Sequence, residues 1–198
     1  MTFILILFDT KFILPFIMFS LSNTQHSIRQ FFKASGRRKR FITRKLLGYS
    51  CSELYSVAAD IENYDKFLPF CKKSTILDKQ PNKLSANLEI GFPPISENYT
   101  STVYLEEPRL VQAISTDGRL FDYLESCWLI NYGLKSNPNS CIVDYSIKFS
   151  FKSVLYSHIA TIFFDRLVHQ MQSAFLNEVG RRYGRPSIQT RELNFVKD

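Results

Sequence analysis

Residues 141–186 read CIVDYSIKFSFKSVLYSHIATIFFDRLVHQMQSAFLNEVGRRYGRP, and the hydrophobic period changes inside them. Up to Phe151 the pattern alternates: Val143, Tyr145, Ile147, Phe149 and Phe151 face one way, and Asp144, Ser146, Lys148 and Ser150 the other. That is a strand with one buried face. After Ser153 the spacing becomes helical. Ala160, Phe164, Leu167, Met171, Phe175 and Val179 form one stripe, widened by Ile159, Phe163 and Ala174. The stripe predicts a helix of about 25 residues, ended by Gly184 and Pro186. A strand that feeds a long amphipathic helix sets the architecture, and the rest of the chain supplies more strands for that helix to cover.

Working back from this stretch, Leu120–Tyr132 is another strand, with Leu120, Leu124, Trp128 and Ile130 on one side. Leu110–Ser115 is closed by the turn dipeptide Asp117-Gly118. Tyr99–Leu105 alternates and ends before Pro108. Leu84, Ala86, Leu88, Ile90 and Phe92 alternate with Ser85, Asn87, Glu89 and Gly91, and Pro93-Pro94 stops the run. Asn63–Leu68 reads as a short helix halted by Pro69. Ser50 and Glu53 form a capping box that opens a helix through Leu54, Val57 and Ala58, and Phe41–Tyr49 is a first strand. The predicted class is α+β, a helix-grip fold: two short helices after the first strand, then a curved antiparallel sheet wrapped around the long C-terminal helix. One helix does not fill such a sheet, so the gap between them is the natural ligand cavity.

Charge is unevenly divided. From Thr10 to Ser52 there is no acidic residue but nine Lys and Arg. With Asp9, residues 1–52 carry +8 of the total +7, leaving −1 for the other 146 residues. A near-neutral folded part argues against a nucleic-acid surface, which spreads basic residues over a folded face. The apolar run at the start is broken by Asp9, Lys11 and Pro15, too short for a membrane span. From Met18 onward the chain has the composition of a mitochondrial presequence: Arg29, Lys33 and Arg37 share one helical face, and Ile28, Phe31 and Phe32 another. The expected division is a leader over 1–36, a domain over 37–185 and a tail over 186–198, with the mature N-terminus between Ser27 and Arg40. Asn98-Tyr99-Thr100 is a glycosylation sequon, expected to stay unmodified after mitochondrial import.

The chemistry-bearing motifs are absent from the sequence: there is no GxGxxG, P-loop, GxSxG or HExxH. Cys51, Cys71, Cys127 and Cys141 have no ligand spacing with one another or with His26, His158 and His169. They are expected to be free thiols. Asp122 and Glu125 fall on opposite faces of one strand, and His158 and His169 share a helix side three turns apart without touching. Neither pair suggests acid–base work. Aromatics are abundant, with 18 Phe and 10 Tyr, so the implied ligand is large and apolar.

Five blocks carry a resemblance: YSVAADIENYDKFLPFCKKS (55–74), LEIGFPPISENYTS (88–101), TDGRLFDYLESCWLI (116–130), CIVDYSIKFSFKSVLYSHIATIFFDRLVHQM (141–171) and RELNFV (191–196). In order, they resemble the mitochondrial coenzyme Q-binding proteins of the START-like, polyketide-cyclase superfamily. The resemblance implies a tunnel that binds ubiquinone or its isoprenoid precursors, with no covalent cofactor, no metal and no catalysis. It implies a lipid chaperone on the matrix side of the inner mitochondrial membrane, serving respiratory electron transport and ubiquinone biosynthesis. Its partners would be that membrane surface and quinone-synthesis or respiratory complexes. Leu88 and Trp128 carry over as tunnel-wall residues. Phe67, Leu68, Pro69 and Phe70 end the second short helix, where this architecture opens its pocket. Phe92 and Pro93 end a strand, Phe149 lies on an inward face, and Phe163, Phe164 and Leu167 belong to the closing helix. Phe70 stands where the family usually has Trp, which keeps the aromatic. Lys72 and Lys73 are expected at a solvated or membrane-facing edge. Two rival readings are an aromatase/cyclase-type enzyme and a ribosome-associated regulator. The first needs polar groups converging in the pocket, of which the inward runs offer few. The second needs basic charge on the folded domain.

Overall fold

The computed structural model describes residues 38–92, 95–119, 121–152 and 154–194, without the side chains of Phe92, Ile95 and residues 154–166. The chain runs β1 (Arg38–Leu47), α1 (Cys51–Ala58), a 3-10 turn (Ile61–Asn63), α2 (Tyr64–Phe67), β2 (Cys71–Gln80), β3 (Lys83–Phe92) and β4 (Ile95–Glu106). It continues with β5 (Leu110–Ser115), β6 (Phe121–Tyr132), β7 (Cys141–Phe151), α3 (Val154–Tyr183) and β8 (Arg191–Glu192). The strands form one antiparallel sheet in the order β2-β3-β4-β5-β6-β7-β1-β8. This is the helix-grip arrangement the periodicities predict.

The period-two faces explain the layers. In β7, Val143, Tyr145, Ile147, Phe149 and Phe151 are all buried while the residues between them are not. Trp128 lies between Val111 and Tyr145 in register, and Ser126 between Ala113 and Ile147, so apolar rows cross the concave face. α3 covers that face. Its buried Val168, Phe175 and Val179 are the side that touches the core. The helix is 30 residues long, about a turn more than its stripe alone predicts.

The capping box is made as predicted: Glu53 accepts from the Ser50 backbone N–H at 2.8 Å, and Ser50 Oγ accepts from the Glu53 N–H at 3.3 Å. α1 is tied to the end of α3. Ser56 and Tyr183 hydroxyls meet at 2.7 Å, Arg182 donates to Asp60 at 2.6 Å, and the Tyr49 hydroxyl donates to the Gly184 carbonyl at 3.0 Å.

Two elements differ from the sequence reading. β2 was not expected as a strand. It is the edge strand, mostly exposed, with register shifts at Cys71/Lys73 and Ile76/Asp78 that break its alternation. Polar, lysine-bearing edges of this kind resist pairing with other chains, and Lys72 and Lys73 are exposed there. The expected tail contributes β8, which pairs with β1 through Lys45↔Glu192 and Leu46↔Arg191. The expected leader over 1–36, Pro93 and Leu120 lie outside the described residues. The four cysteines are free.

Candidate functional site

Between the concave face and α3 lies a cavity of about 170 Å³. β3 to β7 wall it on one side. Leu167, Val168, Met171 and Phe175 of α3 close the other, and Ile61, Tyr64 and Leu68–Cys71 form the end nearest α2. The void is smaller than the roughly 300–1,000 Å³ of typical ligand sites. An apolar void of about 150 Å³ is nonetheless enough to hold a benzene ring. The dimensions suit a single ring, with the rest of a longer ligand left outside the void.

Of the predicted site residues, Leu88, Trp128, Leu68, Phe70, Phe149 and Leu167 come together in this wall. Phe67 does not reach it. Its ring packs one layer behind, against Tyr64 at 5.7 Å and Phe175 at 5.4 Å, because α2 turns that side chain toward α3 rather than the void. The side chains of Phe92, Phe163 and Phe164 lie outside the described residues. Trp128 is 5% exposed. Its ring sits 4.6 Å from Tyr145 and 4.7 Å from Phe175, so one part is packed and another faces the void. Phe70 adopts φ +71°, a conformation costly for a residue with a Cβ. Its carbonyl accepts from the Gly91 N–H at 2.8 Å, which pins that shape against β3.

The sequence reading missed the polar part of the wall. Tyr64, Tyr99, Ser101, Ser126, Tyr145 and Cys71 all line the cavity. The alternation that runs Tyr99, Ser101, Val103 along β4 carries the signal, but it reads only as a strand, because tyrosine and serine are ambiguous in a period-two pattern and leave the inward face undecided. Glu97 shares this inward parity and is fully buried. It is no part of the wall: its carboxylate accepts from the backbone N–H groups of Asn98 at 2.9 Å and Arg119 at 3.1 Å, fastening the β5–β6 loop to β4.

Electrostatically the wall is neutral. Among the described residues it contains no Asp, Glu, Lys, Arg or His. Burial raises the pKa of the Tyr64, Tyr99 and Tyr145 hydroxyls, so they stay protonated. Burial, with Asp65 nearby, pushes the Cys71 thiol up to about 11, which leaves it protonated and weakly nucleophilic at neutral pH. Among the described residues no three His, Cys, Asp or Glu side chains cluster as a metal site. None of the described helices is long and apolar enough to cross a membrane. The arrangement can enclose a neutral, mostly apolar molecule and offer it hydrogen bonds.

Comparison with known proteins agrees with this geometry. Residues 47–176 match the family described as polyketide cyclase / dehydrase and lipid transport. The chain is 44% identical over 175 residues to the mitochondrial coenzyme Q-binding protein COQ10 of Drosophila melanogaster, covering 88% of this chain and 72% of that one. It is 40% identical over 152 residues to the COQ10 homolog B of Xenopus laevis, covering 77% of this chain and 62% of that one. Among solved structures, the Zhui aromatase/cyclase of Streptomyces sp. R1128 superposes with a TM-score of 0.64 at 13% identity, over 73% of this chain and 95% of that one. At that identity the likeness shows the fold alone.

Proposed function

The chain belongs to the polyketide cyclase / dehydrase and lipid transport family, among its mitochondrial coenzyme Q-binding members, and from that premise we propose that it binds ubiquinone or a polyprenyl precursor and acts as a lipid chaperone. The observation that carries the reading is the largely apolar cavity between sheet and α3, whose wall is uncharged among the described residues. A neutral quinone ring suits such a wall, whereas a carboxylate or phosphate ligand would find no counter-charge among the described residues.

The mechanism follows from solubility. Each buried CH₂ contributes roughly 0.8 kcal/mol, so one isoprene unit shielded by the protein offsets about 4 kcal/mol of the cost of leaving the bilayer. The ring occupies the void, and the rest of a long ligand stays outside it. The protein therefore works at a membrane surface, loading and releasing the head group without crossing. The acid-free basic stretch before Ser52 supports delivery to mitochondria. Binding rather than catalysis is favoured by the relatives, which are named as coenzyme Q-binding proteins.

Mass spectrometry of lipids extracted from purified, folded protein tests this. The expected result is a bound isoprenoid quinone. Protein that yields none, and takes none up from quinone-loaded liposomes, refutes the reading.

A further inference from the structure

Five polar groups in the cavity wall have no hydrogen-bond partner among the described residues: the hydroxyls of Tyr99, Ser101, Ser126 and Tyr145 and the indole N–H of Trp128. Three of them sit on deeply buried side chains, with Ser101 3%, Trp128 5% and Tyr145 2% exposed. Buried polar groups are nearly always paired, and an unpaired one costs about 1–3 kcal/mol. Tyr64, in the same wall, shows the usual solution, since its hydroxyl donates to the Ala58 carbonyl. Five unpaired groups in one cavity are therefore not a random defect.

Their placement is ordered. Tyr99 and Ser101 stand two residues apart on the inward face of β4. Trp128 and Tyr145 are directly paired across β6 and β7, with ring centroids 4.6 Å apart. Small Ala113 of β5, paired with Val103 of β4 and Ser126 of β6, lies in the wall between the two pairs. Two donor pairs thus face one void from different strands, separated by a low point in the floor.

We propose that four of these groups form a head-group seat, in which Tyr99 and Ser101 on one side and Trp128 and Tyr145 on the other donate hydrogen bonds to the ring oxygens of a quinone. The inference rests on the quinone-binding reading and adds to it the residues that recognise the head group and the ligand class they select. A quinone ring carries oxygens that only accept, and a wall of unpaired donors complements it. The hydroxyls remain donors across the physiological range because burial keeps them protonated. A tail without a ring, or a ring without oxygens, leaves the donors unsatisfied. The seat therefore discriminates in the way a polar pocket rejects an analogue that lacks its hydrogen-bonding group. An acidic lipid finds no cation among the described residues of the wall.

The test uses Tyr99→Phe, Tyr145→Phe and the double variant, each stripped of lipid. Two probes are titrated against them: a ubiquinone with two isoprene units, and a geranyl-substituted benzene without ring oxygens. Trp128 is the single tryptophan, so its fluorescence reports both. Each single variant should weaken the quinone by about 3- to 10-fold and leave the hydrocarbon unchanged. Ligand-free Tyr145→Phe should melt no lower than the unmodified protein, and up to a few degrees higher, because an unpaired hydroxyl has been removed. A double variant that keeps full quinone affinity, one that loses both probes equally, or a ligand-free melting point that drops would each overturn the seat. If the unmodified protein binds the hydrocarbon but not the quinone, the quinone reading fails as well, and that outcome is distinct from the other three.

Discussion

The roof of the cavity depends on a clamp beyond its edge, and Glu178→Gln tests it. Glu178 lies one turn past Phe175 on α3 and is 6% exposed. It accepts from Arg181 Nε and Nη2 and from Arg182 Nε, each at 2.7 Å, and Arg182 reaches on to Asp60 at 2.6 Å. Arg181, with Arg182 adding to it, holds the carboxyl at about 2 against an ordinary value of 4.5. At 1.36 kcal/mol per tenfold change in acidity, the displacement bounds the contribution at about 3 kcal/mol. Arg181 is 72% exposed, so water screens much of its share. About 1.5–2 kcal/mol remains, a drop of roughly 3–8 °C in melting temperature for a domain of this size. The pH dependence has a definite sign. The folded carboxyl is the more acidic, so its stabilisation is complete above 4.5 and is lost as the pH falls toward 2. About 40% of it is left at pH 3 by the same linkage. Far-UV circular dichroism melts of both proteins at pH 7, 4 and 3 should show a gap that narrows with acid. At pH 7 the variant should also release quinone faster, because Phe175 and Met171 lose their anchor. Coincident melts at pH 7, or a gap that stays constant to pH 3, would refute the clamp.

Two further substitutions probe the wall and the far edge of the sheet. Trp128→Phe removes a donor and part of a ring that already borders a void, so it should cost only about 1–2 kcal/mol while quinone content per folded molecule falls; loss of stability with unchanged quinone would make Trp128 plain core. Gly48→Ala places a Cβ 2.5 Å from the backbone N and O of Ile188, which has no flexible end to yield. It should displace the segment that carries β8 and break the 2.8 Å bond from the Ser187 N–H to the Gly48 carbonyl, at a cost of about 1–3 kcal/mol; amide exchange at Ser187 and Leu193 as slow as in the unmodified protein would disprove it.

The fold was legible where one physical constraint acts alone. In β7 and α3 a single face is buried, so the period of the apolar residues reports the element directly, and the Ser50–Glu53 box marks a helix start by local chemistry. β2 was illegible because an edge strand with register shifts satisfies no period: Lys72, Lys73 and Asp78 answer to solvent and to negative selection against pairing, not to a core. β8 was hidden for another reason. Its two residues are both exposed, and what directs the chain back onto β1 is long-range: the close approach of Ile188 to Gly48, which leaves no room for a side chain, and the bonds of Ser187 to Asn137 and Asn139.

The site was half legible, and the missing half follows from the same physics. A cavity wall and a packed core draw on the same aromatic and aliphatic residues, so Phe67 and Phe70 look alike in the sequence although one packs behind Phe175 and the other faces the void. Apolar character alone does not separate the two roles. Hydrogen-bond satisfaction adds the distinction. Within one wall, Tyr64 donates its hydroxyl to the Ala58 carbonyl, whereas Ser101 and Tyr145 keep theirs open toward the void. That difference requires knowing which groups meet across β4, β6 and β7, and the pairings lie far apart in the chain. The polar residues that expectation discounted as too few for chemistry are thus the ones with which a binding protein would distinguish a quinone from any other oil.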